Sequence, residues 1–181
     1  GRLKSGGGAV LLLLVLMMSH NLLKANNSNK ILYASEGLLG QVKVVQSEFM
    51  VNGKMEVLRM QLINNTLQGI ININDPQRSY LEYQTLLKPI LESQGAEGRM
   101  LVLGLGAGLI YNIMGSNKDL QMDFVEIDAG IARSAERYFI GRNRGNSNLN
   151  IIIDDARHYT ETTDEKYNSI FVDTFAGESI P

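Results

Sequence analysis

The chain contains no cysteine, which excludes both a disulfide framework and a thiolate metal site. Its only histidines, His20 and His158, stand in no ligand spacing such as HExxH, so no metal site is expected. No long Lys/Arg run occurs and the formal net charge is -2, so nothing in the sequence marks a nucleic-acid partner. Internal repeats are also missing, and the one low-complexity tract is Gly6 to Gly8. What remains is 181 residues with 44% hydrophobic content, enough for one sizeable core and a small second unit.

The N-terminus begins at Gly1 and carries ten consecutive apolar residues, Ala9 to Met18. As a helix these would span about 15 Å, roughly half a bilayer's hydrocarbon core. Three readings are open: a signal-peptide apolar region behind Arg2 and Lys4, the trailing half of a membrane span, and a buried core helix. The polar stretch Lys24 to Lys30 reads as a linker.

From Ile31 to about Ile73 the pattern is that of strands. "QVKVV", Gln41 to Val45, alternates, and Asn52-Gly53 between two β-prone runs signals a hairpin. A small antiparallel β unit is expected. Tyr80 to Gln94 then carries Leu81, Leu86, Leu87, Ile90 and Leu91 near a helical stripe, with Pro89 expected to end or kink the helix. Beyond it, apolar runs at Met100 to Leu103, Met122 to Val125, Leu149 to Ile153 and Ser169 to Val172 are separated, over the first three, by helix-compatible stretches. That alternation implies βαβ units, a parallel sheet and an α/β fold.

The first of these runs leads into "GLGAG", with glycines at Gly104, Gly106 and Gly108. A glycine turn at the carboxyl end of a parallel strand lets backbone N–H groups approach a ligand closely. A dinucleotide fingerprint needs G-x-G-x-x-G, but its third position is Leu109. The G-x-G-x-G spacing instead resembles the first motif of S-adenosylmethionine-type folds. Glu126 follows Gly104 by 22 positions and ends the second run, where a carboxylate can accept from both ribose hydroxyls. Asp154 and Asp155 end the third run, at the height of an adenine amino group, and Asp173 ends the fourth.

"GLLGQVKVV", the Asn52-Gly53 hairpin, "YLEYQTLL", "VLGLGAG", "VEID", "DDAR" and "YNSIFVDTF", in this order, resemble the spermidine synthase family, the polyamine aminopropyltransferases. The resemblance covers roughly Leu32 to Pro181, and "VDTFAGESIP" is similar to the branch in which such a domain follows membrane helices. It therefore favours a membrane span for Ala9 to Met18 and a membrane-associated protein with a cytoplasmic catalytic domain, the alternative being a cytoplasmic one. It implies three regions: an apolar segment and linker over 1–30, a β-stranded unit over 31–79, and a Rossmann-like, methyltransferase-type catalytic part over 80–181. Four strands of the family's seven-stranded, methyltransferase-like sheet are accounted for, so the resemblance also implies a chain truncated at its C-terminus.

The implied chemistry moves an aminopropyl group from decarboxylated S-adenosylmethionine, a co-substrate, to a small-molecule amine or polyamine, with no tightly bound cofactor. The resemblance assigns the nucleoside to Gly104, Gly106, Gly108, Glu126, Asp155 and Ala156, the catalytic base to Asp173, and part of the amine pocket to Tyr83. It also implies a homo-oligomer. His158 and Tyr159 read as surface or packing residues. Three positions depart from the family pattern: Ala107 and Ala176 replace aspartates that hold a diamine, and Glu56 stands where a hairpin glutamine is usual. The two lost aspartates weigh against putrescine as acceptor, and on this view aspartate restored at 107 and 176 raises diamine affinity if the pocket geometry is otherwise retained. A methyltransferase-like or catalytically silent nucleoside-binding domain on a membrane protein is the alternative, with an NAD-dependent oxidoreductase behind it.

Overall fold

A computed structural model describes residues 24–25, 29–76, 78, 80, 82–93, 97–140 and 148–174; of residues 24–25, 82–85, 88 and 92 it describes the backbone alone. Two sheets make up the fold. The first is antiparallel and contains β1 (Lys24–Ala25), β2 (Lys30–Gly37), β3 (Gly40–Val51), β4 (Lys54–Ile63) and β5 (Thr66–Asn72). After helix α1 (Glu82–Ser93) comes the second sheet, wholly parallel, in the order β8-β7-β6-β9. Its elements in chain order are β6 (Gly98–Leu103), α2 (Leu109–Met114), β7 (Leu120–Glu126), α3 (Ala129–Tyr138), β8 (Leu149–Ile153), α4 (Ala156–Thr162) and β9 (Ser169–Val172). The chain therefore has the expected α/β, Rossmann-like architecture behind an antiparallel β unit.

The expected hairpin is present: β3 and β4 pair from Val42↔Ile63 to Val51↔Lys54 around Asn52 and Gly53, both at positive φ. A second tight turn of the same kind joins β4 to β5 at Asn64 (φ 48) and Asn65 (φ 67). Lys24 to Lys30 is not linker throughout, because Lys24 and Ala25 pair with Met50 and Phe49 of β3. Ala9 to Met18 lies outside the described residues. Among those described, no helix is long and apolar enough to cross a membrane.

The central strands β6 and β7 of the parallel sheet are buried on both faces, whereas Ile153 of β8 and Ile170 and Val172 of β9 remain exposed. On one face, Met100, Val102, Met122 and Phe124 meet Ile110, Tyr111 and Met114 of α2, Ala132 and Ala135 of α3, and Leu91 of α1. On the other, Leu101, Leu103 and Val125 meet Ala156 and Tyr159 of α4 together with Tyr167. Tyr159 is a packing residue, its hydroxyl 2.5 Å from that of Tyr167, which donates to the buried Asp123 at 2.7 Å. Pro89 does not end α1, which runs on to Ser93 with Leu91 buried in the core. That packing holds the last turn where an interior proline would otherwise release it. The apolar stripe of α1 is only half used: Leu86 is 63% and Ile90 54% exposed.

Helix α3 ties the sheets together. Asp128 caps it, accepting from the N–H of Gly130 at 2.7 Å and of Ile131 at 3.2 Å. Its other carboxylate oxygen accepts from the Leu39 N–H of the β2–β3 turn at 3.1 Å. At the far end Arg59 of β4 donates to the Tyr138 carbonyl at 2.6 Å, and midway Gln61 donates to Ser134 at 2.7 Å. Helix α3 and the N-terminal sheet are thereby held against one another.

Candidate functional site

Because β6, β7, β8 and β9 are parallel, their carboxyl ends share one rim, at which Gly104, Glu126, Asp154 and Asp173 are neighbours. Gly104 leaves β6 at φ 94, and a Cβ there would sit 2.1 Å from the Asp173 carbonyl oxygen. Only glycine permits this approach. The ends of β6 and β9 are further joined by Asp173 N–H to the Leu103 carbonyl at 2.7 Å. At Gly106 (φ 52) the surroundings are different: nothing lies within 4 Å of a Cβ, so the turn faces open space there. Gly108, also at positive φ, precedes α2 as its cap residue.

Glu126 lies beneath this turn at 5% exposure. One carboxylate oxygen accepts from Leu105 N–H at 3.1 Å and from Gly106 N–H at 3.4 Å; the other accepts from Asp128 N–H at 3.0 Å. Burial pushes its pKa up, opposed by these three N–H bonds. The carboxylate is thus first a scaffold for the glycine turn, a role that motif spacing did not reveal. Oε2 is filled by its two N–H donors, whereas Oε1, with one, keeps a further lone-pair direction for a hydroxyl.

At the end of β8, Asp155 caps α4, accepting from Arg157 N–H at 2.9 Å and His158 N–H at 3.0 Å. Ala156 opens that helix, packed against the buried Leu101, Leu103 and Val125. Asp154 faces the His158 ring, both carboxylate oxygens 2.9 Å from Nδ1. That contact raises the His158 pKa and lowers that of Asp154. His158 is a surface residue, 64% exposed.

Asp173 borders a shallow cleft between the glycine turn, β5 and α1. As a residue it is exposed, yet its carboxyl faces the cleft walls closely enough for desolvation to raise its pKa. Leu87 of α1, Ala107 of the turn, and Leu109, Ile110 and Ile113 of α2 supply apolar wall. Ala107 is 2% exposed, and a Cβ on Gly69 of β5 would lie 2.4 Å from its methyl group. The turn and β5 are therefore in direct contact at that position. Aspartate at 107 would start from a buried Cβ already against the β5 backbone, so restored diamine binding does not follow from restoring the charge. Tyr83 lies in α1 with its side chain outside the described residues, as is Ala176 altogether.

Glu56 does not reach this cleft. Its buried carboxylate accepts from Arg78 Nη1 at 2.6 Å, from Asn72 Nδ2 at 3.1 Å and, over a very short contact, from the Tyr80 hydroxyl. Burial would raise its pKa, but Tyr80, Arg78 and Asn72 outweigh that and hold it low, while burial and Glu56 push Tyr80 up to about 12. The polar side chain that the N-terminal sheet does present to the cleft is Gln68 of β5, whose one described side-chain contact is a long 3.5 Å approach to Thr66 O. Gln68 was not singled out from sequence. The available signal was the second turn, Asn64-Asn65, four residues before it.

The chain is similar to the polyamine aminopropyltransferase of Vibrio vulnificus (strain CMCP6), 34% identical over 113 residues, which are 59% of this chain and 37% of that protein. It is also similar to that of Ruegeria sp. (strain TM1040), 25% identical over 138 residues, 71% of this chain and 49% of the other. The chain spans less than half the length of these curated relatives. No family model matches it. Among solved structures, a probable spermidine synthase from Corynebacterium glutamicum ATCC 13032 superposes with a TM-score of 0.60 at 25% identity, over 82% of this chain and 54% of that one. Spermidine synthase from Thermotoga maritima shares the fold, with a TM-score of 0.54 at 13% identity over 80% of this chain and 47% of that one. By sequence and fold together, the chain is similar to the polyamine aminopropyltransferases and to the spermidine synthases of known structure.

Proposed function

We propose that the chain binds decarboxylated S-adenosylmethionine at the glycine turn and, through Asp173, prepares an amine to take up its aminopropyl group. The observation that carries this reading is the convergence at one rim of an open glycine turn, an acid beneath it, and a carboxylate beside a cleft. The Gly106 backbone leaves room for close approach by the nucleoside, and Glu126, Asp155 and Ala156 border the positions of its ribose and base. A sulfonium carbon is already activated, so the remaining task is alignment and removal of a proton. An alkylamine has a pKa of about 10.4, leaving roughly one molecule in a few thousand unprotonated at neutral pH. A carboxylate whose own pKa is raised is a better proton acceptor for that ammonium than a solvated one. The amine lone pair then forms the C–N bond as the C–S bond breaks, its electron pair remaining on sulfur as a neutral thioether.

A radiolabel transfer assay on the native protein tests this. Transfer from decarboxylated S-adenosylmethionine to an amine, abolished in Asp173→Asn, is expected; transfer insensitive to that substitution contradicts the base assignment. A protein that binds the nucleoside but transfers nothing is instead the silent-domain alternative. The same proposal includes membrane attachment through Ala9 to Met18, with the catalytic part in the cytoplasm, and a homo-oligomer. Retention in the membrane fraction after a carbonate wash is expected, and sedimentation of the detergent-solubilised protein reads the assembly state.

A further inference from the structure

We propose that Asp128 is a positioning residue for the nucleoside acid, through which the β2–β3 turn of the N-terminal sheet sets how Glu126 meets its ligand. The proposal rests on the reading of Glu126 as a partner of the nucleoside. Of the two Glu126 oxygens, Oε1 keeps a free lone-pair direction, and its one donor among the described residues is the Asp128 N–H at 3.0 Å. Where Oε1 points therefore depends on where that N–H is held.

Three elements hold it. Asp128 stands between the end of β7 and the start of α3, 2% exposed, at φ -106 and ψ 109. Its Oδ1 accepts from the N–H groups of Gly130 and Ile131, which ties the residue to α3. Its Oδ2 accepts from the Leu39 N–H at 3.1 Å, a partner 89 residues earlier in the chain.

A helix cap alone would need only one of these oxygens, and serine or asparagine would supply it. The second oxygen goes to the β2–β3 turn, and the turn is shaped to receive it. Gly37, which pairs with Gly40 to close that hairpin, has no positive φ to demand glycine. The demand is for space: a Cβ there would lie 2.2 Å from Asp128 Oδ2 and 2.6 Å from Oδ1. Gly130 repeats the pattern from the helix side, a Cβ on it lying 3.0 Å from Ser35 Oγ of β2. These approaches make one packed path from β2 through the Asp128 carboxylate to its own N–H and on to Glu126 Oε1. Coupling along such a path is reciprocal, so a ligand held by the acid steadies the turn as much as the turn steadies the acid.

The native protein gives the first test. Amide hydrogen exchange at Leu39, followed with and without saturating methylthioadenosine, is expected to slow by about fivefold or more beyond any slowing at Ile73, whose N–H bonds the Val57 carbonyl of β4 away from the turn. Equal slowing at both amides, or none at Leu39, overturns the proposal, and no variant has to fold. A double-mutant cycle gives the second test, with methylthioadenosine affinity read by calorimetry on protein shown to be folded by circular dichroism. Gly37→Ala, which drives a methyl group into the carboxylate, is expected to weaken binding by about fivefold or more in the wild-type background. In the Asp128→Ala background, where that carboxylate is gone, the same substitution is expected to change nothing. The lost helix cap is common to both arms of that comparison and drops out. An equal loss in both backgrounds, or no loss in either, overturns the proposal while leaving the nucleoside site intact. Wild-type protein that does not bind methylthioadenosine at all would sink the underlying reading, and the proposal with it.

Discussion

Replacing Glu56 by glutamine separates a structural role for this acid from a role in holding substrate. The wild-type carboxylate, 8% exposed, takes hydrogen bonds from Arg78, Asn72 and Tyr80. Glutamine keeps one acceptor oxygen but loses the charge, and its amide nitrogen must face at least one of those three donors. A hydrogen bond to a charged group contributes about 1.5–3 kcal/mol, and a buried donor left without an acceptor costs about 1–3 kcal/mol. Arg78 is 39% exposed, so water replaces part of its share. The net expectation is a loss of about 2–3 kcal/mol at neutral pH. Because the folded-state pKa of Glu56 is lowered, its contribution is full above the unfolded value and is lost as pH falls through the folded one. The gap between wild type and Glu56→Gln should therefore narrow in acid. Urea unfolding at neutral and acid pH, with unchanged m, measures both. Equal stability at neutral pH, or methylthioadenosine affinity that falls with the substitution, would refute the structural assignment.

Other expectations concern the rim and the turn. Glu126→Ala removes the acceptor of Leu105, Gly106 and Asp128 N–H groups and should weaken methylthioadenosine binding by about 1.5–3 kcal/mol, read by calorimetry. Ala107→Asp buries a carboxylate against Gly69 and should lower the unfolding midpoint without raising diamine affinity; a stable variant that binds putrescine tightly would contradict the packing argument. By NMR titration, the His158 midpoint should lie above the ordinary value of about 6.5 and fall back in Asp154→Asn. The stabilisation from that pair is full below the unfolded His pKa and is lost as pH rises through the raised one.

The parallel sheet was legible because its strands are short apolar runs ending in glycine or acid, a local signal for strands that each finish at one rim. Asn52-Gly53 was likewise legible, since a positive-φ turn demands such residues. Asn64-Asn65 makes an equivalent turn without glycine; the strand pattern to Ile73 covered β5, but the weaker turn signal did not single out Gln68. Glu56 follows the first hairpin and stays within the antiparallel sheet, whereas the side chain that reaches the cleft, Gln68, follows the second. Which of two hairpins faces the glycine turn is decided by how α3 docks on the antiparallel sheet, through Asp128, Ser134 and Tyr138. Contacts separated by 73 to 89 residues leave no trace in local periodicity. The inward turn of Glu126 belongs to the same class, since its partners are backbone groups that any sequence supplies. In α1 the helix continues past Pro89 to Ser93 with Leu91 buried, and the exposure of Leu86 and Ile90 shows that a helical stripe alone does not say how much of it is buried.

The central claim is that the glycine turn and Glu126 form a site for a thioadenosine-type nucleoside. Calorimetric titration of the native protein with methylthioadenosine and, separately, with NAD tests it most directly. The account predicts saturable one-site binding of methylthioadenosine, weakened by Glu126→Ala, and no heat from NAD; binding of NAD without methylthioadenosine would contradict it.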